Sequence, residues 1–354
     1  MHRLYSIRLK YQPDFPPPPM AGLGKFSYNG KFGKFRPQKD IFMQQELIQK
    51  SMISLKTFFR NTPLFLCLLL FGSSSAISTA PEIILVGSTP ADGPIKSMLT
   101  IPTVTKVDFI RWDLKLNDKN AFTLEIAYGE SQPNTLGFKD GGQKQTIKGI
   151  FTISRNEGSK SFKYVYHLKS SSLPEKISLV KLNENLFHIL TSQNQLMIGN
   201  GGWSYTLNRK DPIGSDEILI SSTITDDKSL QLVFDGRTPC QEIAAEHPEM
   251  NASQSCFKLK WRLILNRDSV NYLPTTCVIR KIVDNQPRDV SGKWTIIKGT
   301  AANPDAIIYK IEPDKPDESI SLLVGDDNVL FFLNKNEEPY IGNKDFSFTL
   351  NKKM

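Results

Sequence analysis

The chain is expected to be all-β, folding as two tandem lipocalin-like or OB-like antiparallel barrels of about seven or eight strands each. Three observations lead there. Apolar and polar residues alternate along short segments, clusters of Asn, Asp, Gly and Pro separate those segments at hairpin-like intervals, and the sequence repeats internally.

The repeat organises everything else. Residues 149–209 align with 292–352 without a gap, with 17 identities in 61 positions. Ile177-Ser178-Leu179 meets Ile320-Ser321-Leu322, Ile198-Gly199-Asn200 meets Ile341-Gly342-Asn343, and Thr206-Leu207-Asn208 meets Thr349-Leu350-Asn351. The substitutions keep character, as in Phe151 with Trp294, Trp203 with Phe346 and Tyr205 with Phe348. A match of this length marks a duplicated unit. The upstream parts align less tightly, Trp112 to Asn117 resembling Trp261 to Asn266 only after a shift of about six residues in the alignment.

Taken from the N-terminus, residues 1–51 are a basic, Pro- and Gly-rich extension, either a disordered arm or the product of a start placed too early, with Met43 or Met52 the true start. Residues 52–76 follow the layout of a secretory signal peptide: Lys56 and Arg60, an apolar run from Leu64 to Phe71, then Ser74-Ser75-Ala76 as the cleavage site. That run is far short of the roughly 20 residues that span a bilayer, so no transmembrane span is expected. Cys67 sits inside it and is badly placed as a lipid acceptor.

Charge supports this division. The whole chain carries 44 Lys plus Arg against 36 Asp plus Glu, a net +8, but residues 1–76 hold 11 of the former and 3 of the latter. The body keeps 33 of each, so its net charge gives no reason to expect nucleic acid as a partner. A 39% hydrophobic and 10% aromatic content suits packed cores and excludes collagen-like, coiled-coil and wholly disordered classes.

The first barrel is assigned to 77–212. Period two runs through Trp112, Leu114 and Leu116; Phe122, Leu124, Ile126 and Tyr128; Tyr164, Tyr166 and Leu168; and Ile177 with Leu179. Asn117 to Asn120 and Gly129 to Asn134 supply turns. The second barrel, 213–354, repeats the pattern in Trp261, Leu263 and Leu265 and in Ile307, Tyr309 and Ile311, with turns at Asp326 to Asn328 and Asn334 to Glu337. The one short helical period lies near Cys240 to Glu246. Closing each meander satisfies its edge strands, and an eight-stranded barrel either fills with side chains or holds one small ligand. Gly199 to Gly202 is expected as a turn between strands at Ile198 and Trp203, and His167 and His188 as residues of barrel walls.

Phe234-Asp235-Gly236-Arg237-Thr238-Pro239-Cys240, the strand from Cys256 to Asp268 and the later Gly292-Lys293-Trp294 together resemble the N-terminal domain of the NlpE family of copper resistance lipoproteins. The likeness spans about 120 residues of the second copy and, through the repeat, touches the first. It implies a bacterial envelope protein built on a lipocalin- or OB-like barrel, with links to copper tolerance, surface sensing and envelope stress. The family's Cys-x-x-Cys is not carried over, since Cys240-Gln241-Glu242-Ile243 has no second thiol, and there is no lipobox cysteine.

Beyond the leader three cysteines remain, Cys240, Cys256 and Cys277. A Cys240–Cys256 disulfide would close a loop of about 15 residues and contribute around 3 kcal/mol in the chain-entropy model. Free structural thiols and metal ligation are the alternatives. His247, Met250, Cys240 and Cys256 lie near one another in sequence, but no pair has a helical or Cys-x-x-Cys spacing, and no metal or cofactor is expected. Gly-x-Ser-x-Gly and phosphate-binding glycine loops are missing from the sequence, and only three His follow the leader. The expectation is an exported, non-enzymatic protein of the periplasm, envelope or extracellular space. It acts either as a ligand-binding or stress- or metal-sensing barrel module, with a small apolar ligand or an envelope protein as partner, or as a structural, protein-interacting protein with filled barrels. A hydrolytic enzyme ranks last.

Overall fold

The computed structural model of the protein describes residues 82–155, 162–214, 217–222, 227–246, 252–314 and 318–353. The extension, the signal segment, His247 and Met250 lie outside the described residues. Two closed eight-stranded antiparallel barrels follow one another along the chain, as the alternation and the repeat predict.

The first barrel comprises β1 (Ile83–Pro90), β2 (Phe109–Leu116), β3 (Ala121–Gly129), β4 (Gln143–Arg155), β5 (Tyr164–Lys169), β6 (Ile177–Lys181), β7 (Leu186–Ile189) and β8 (Thr206–Arg209). The second comprises β9 (Gln231–Thr238), β10 (Leu259–Arg267), β11 (Pro274–Val283), β12 (Gln286–Lys298), β13 (Ile307–Pro313), β14 (Ile320–Val324), β15 (Val329–Leu333) and β16 (Thr349–Lys352). Each is a meander whose last strand returns to the first, β8 to β1 through Val86↔Asn208 and β16 to β9 through Asp235↔Asn351. Closure leaves neither sheet with a free edge.

The inward faces answer whether the barrels are hollow. Leu85, Trp112, Leu114, Leu124, Ile126, Phe187, Tyr205 and Leu207 meet in one buried cluster in the first barrel. Phe234, Trp261, Leu263, Ile279, Trp294, Ile311 and Phe332 do so in the second. The interiors are occupied by side chains, one of the two outcomes open to a barrel of this size. A buried indole N–H needs an acceptor. Trp112 Nε1 donates to Thr89 Oγ1 at 2.9 Å, and Trp261 Nε1 repeats the bond to Thr238 Oγ1 at 2.8 Å.

A short helix sits between the first two strands of each copy. In the second copy, α2 (Gln241–Glu246) lies where the helical period predicts it, held by the Cys240–Cys256 disulfide with its Cα atoms 5.8 Å apart. Its counterpart α1 (Gly93–Met98) gives no periodic signal, being six residues long. Capping holds it instead: Asp92 accepts from Ile95 N at 3.1 Å and from the Tyr205 hydroxyl at 2.5 Å. Cys277 is buried on β11. The segment from Ile198 to Trp203 corrects the sequence reading: the turn is present, Asn200 N donating to Trp203 O at 3.1 Å, but its flanks are loop, and β8 starts only at Thr206. Among the described residues no helix is long and apolar enough to cross a membrane.

Outward apolar residues of β5 to β7 and β13 to β15 form a third core between the barrels, where Val180, Leu186 and Leu190 pack with Leu323, Val329 and Leu333. Ile218 and Ile220 of the connecting segment, which the sequence reading placed in the second barrel, join this core. The contact is reciprocal. Gly199 N donates to Asn351 Oδ1 at 2.7 Å, and Gly342 N donates to Asn208 Oδ1 at 2.8 Å. Ser204 Oγ lies 2.8 Å from Ser347 Oγ, and Thr206 Oγ1 lies 2.9 Å from Thr349 Oγ1, each pair joining residues 143 apart. Equivalent atoms facing one another are the signature of a two-fold arrangement, here within one chain.

Candidate functional site

Of the repeat-signature residues Ile198, Gly199, Asn200, Ile341, Gly342 and Asn343, Gly199, Gly342 and Asn343 take part in this docking through Asn351 and Asn208, and each glycine is required by the close fold of its own turn. A Cβ on Gly199 would fall 2.2 Å from Trp203 O, and one on Gly342 would fall 2.3 Å from Phe346 O. These two turns carry Trp203 and Phe346 to a cleft of about 130 Å³ where the barrels meet.

The cleft is built from positions that are equivalent in the two copies. Ser88 and Arg237 occupy the same place on β1 and β9, Phe109 and Lys258 the same place beside β2 and β10, and Trp203 and Phe346 the same place before the last strand. The copies have diverged chemically at two of these positions, where Arg237 and Lys258 of the second copy stand in the places of Ser88 and Phe109 of the first. Phe138 stacks on Phe109 with centroids 4.2 Å apart, Phe109 stacks on Trp203 at 4.8 Å, and the Arg237 guanidinium lies over the Trp203 ring, 5.3 Å from its centroid. Stacking of this kind fixes the orientation of a guanidinium fork.

Its electrostatics are one-sided. Arg111, Arg237 and Lys258 line the cleft with a single carboxylate, Asp345. That carboxylate is already engaged, accepting from Arg111 Nη2 at 2.5 Å and from Lys344 Nζ at 2.8 Å. Arg111 also donates to Leu136 O at 2.7 Å. Among the described residues Arg237 and Lys258 have ring contacts and no acidic partner. Burial lowers the Arg237 pKa, and burial together with the neighbouring charges of Arg237 and Lys260 lowers that of Lys258. Two partly desolvated cations held together without an anion raise the affinity of the cleft for one.

A second cleft of about 470 Å³ shares Arg111 and runs along the outer wall of the first barrel to the Gly342-Asn343-Lys344 turn. A broader one of about 970 Å³ lies beside α1 and the Asp326 turn. Of its four acids, Asp92 and Asp326 are occupied by hydrogen bonds, Asp326 accepting from Asn328 N and Val329 N at 2.8 and 3.0 Å.

The other sequence-marked residues stand elsewhere. His167 lies on the wall at β5 between Ser154 and Ser178, at 3.0 and 2.9 Å. His188 is fully buried at the barrel junction. Cys240 and Cys256 are bonded to one another and so unavailable as thiolate ligands. Among the described residues no three His, Cys, Asp or Glu are grouped to hold a metal. Sequence reasoning did not single out Phe109, Arg111, Trp203, Arg237 or Lys258 as a site. The signal that marks them is the difference between aligned copies, Ser88 against Arg237 and Phe109 against Lys258.

The fold and cleft define the class as a fused pair of side-chain-filled β-barrels with a cation-lined cleft where equivalent positions of the two copies meet. Comparison with known proteins found no matching family model, curated protein or solved structure.

Proposed function

We propose that this is an exported, non-enzymatic recognition protein of the bacterial envelope or extracellular space, which binds a partner by an anionic group held between Arg237 and Lys258. The observation that carries the reading is the Arg237 guanidinium, stacked on Trp203 in the cleft that Lys258 also lines, neither cation having an acidic partner among the described residues. Occupied barrel interiors favour recognition at the outer surface over carriage of an apolar ligand inside. A disulfide suits an oxidising compartment, in keeping with the signal segment and the NlpE-like element. Metal sensing through Cys240 is disfavoured because its sulfur is consumed by Cys256.

Calorimetric titration with inorganic phosphate tests the reading. Binding should weaken with added salt, and Arg237→Gln or Lys258→Gln should each reduce affinity by about tenfold, the loss of one charge-assisted hydrogen bond. Phosphate binding that is absent, or indifferent to both substitutions, overturns it.

A further inference from the structure

The 470 Å³ cleft that continues from the axis lies within the volume range of about 300–1,000 Å³ usual for small-ligand sites. Its lining sets Asp113 and Glu125 among the cations Lys144, Lys210 and Lys344 and the apolar surface of Val86 and Ala127. Two polar atoms of adjacent outward residues on β2, Arg111 Nε and Asp113 Oδ1, are shielded from solvent without a hydrogen-bond partner among the described residues. One is a donor and the other an acceptor, and leaving such groups unpaired is costly.

We propose that the anionic ligand is an acidic saccharide, whose carboxylate sits at Arg237 and Lys258 and whose ring hydroxyls bond to Asp113 and Gln145 in the adjoining cleft. This rests on the axis cleft being an anion site. A hydroxyl both donates and accepts, which is what a cleft presenting carboxylates, an amide and ammonium groups side by side requires. The alternatives fit worse. Single-stranded nucleic acid needs an open aromatic face, and Trp203 is already engaged by Phe109 and Arg237. A peptide that docks by strand addition needs a sheet edge, and closed barrels have none.

Calorimetry on the purified protein with tetragalacturonate, neutral maltotetraose and inorganic phosphate tests the assignment. Tetragalacturonate should bind more tightly than either comparator. Asp113→Asn should weaken it by about tenfold, and Gln145→Ala should weaken it less, both leaving phosphate binding unchanged, which also reports an intact fold. Arg237→Gln should weaken tetragalacturonate and phosphate alike. Maltotetraose binding as well as tetragalacturonate, or tetragalacturonate indifferent to both Asp113→Asn and Gln145→Ala, overturns the saccharide assignment while phosphate binding keeps the axis cleft. Phosphate binding indifferent to Arg237→Gln overturns the cleft itself.

Discussion

Lys281 points into the second barrel from β11, opposite Trp261, at the position where the first barrel has Ile126 opposite Trp112. It is paired there with Glu318, and the two side chains are 5% and 10% exposed. Replacing only one member of such a pair strands the other charge in a dry core, whereas replacing both with apolar groups is often neutral. Lys281→Met should therefore cost about 3–5 kcal/mol, and Lys281→Met with Glu318→Leu should return to within about 1 kcal/mol of the parent, measured by urea denaturation. A double variant as unstable as the single would show that the pair does more than compensate itself. The alternation through Cys277, Ile279 and Val283 puts position 281 on the inward face, so the sequence pattern is right about direction and silent about the partner. Glu318 precedes β14 and is brought to Lys281 by barrel closure.

At the scale of elements, the strands were legible because a half-buried sheet imposes period two on any chain that forms it. Helix α1 and the β11–β12 hairpin were not. The hairpin turns on Asp284 and Asn285, both at positive φ (48° and 63°), a local chemistry with no periodic trace. The Ile-Gly-Asn turns were visible as repeats, but their purpose lies in the neighbouring barrel. Gly199→Ala must push its Cβ away from Trp203 O and from Asn351 across the junction. It should lower stability by about 2 kcal/mol or more in thermal melts and weaken phosphate binding, because the same turn positions Trp203 beneath Arg237. Unchanged binding in a folded Gly199→Ala protein would separate the turn from the site.

Across the whole molecule, the third core and the reciprocal hydrogen bonds make the two barrels one mechanical body, with His188 at the join. Its Nε2–H donates to Met197 O at 2.9 Å, and its Nδ1 accepts from Thr206 Oγ1 at 3.0 Å, while its ring meets Phe331 edge-on. Phe331 is the aligned counterpart of His188, so the two-fold is broken at this point by one polar ring. Burial drives the imidazole pKa from its ordinary 6.5 down to about 4. The folded protein keeps His188 neutral while the unfolded chain protonates it first, so its contribution to stability is complete above pH 6.5 and is lost as pH falls toward 4. That window should cost about 3 kcal/mol, and His188→Phe should be less stable at pH 7 yet lack this part of the acid slope. Denaturant melts of both proteins across the window check it, and parallel slopes would refute it.

Duplication, the strand alternation, closure into small barrels and a Cys240–Cys256 pairing were all within reach of the sequence, because each follows from local periodicity, self-similarity or short separation along the chain. The filled interiors and the axis cleft were decided only by the tertiary structure. Trp203, Arg237 and Arg111 come from both copies, and what joins them is the docking of outward faces whose apolar residues look, strand by strand, like any other barrel wall. A chain whose body is neutral in sum thus places Arg237 and Lys258, without acidic partners among the described residues, where residues of its two halves meet.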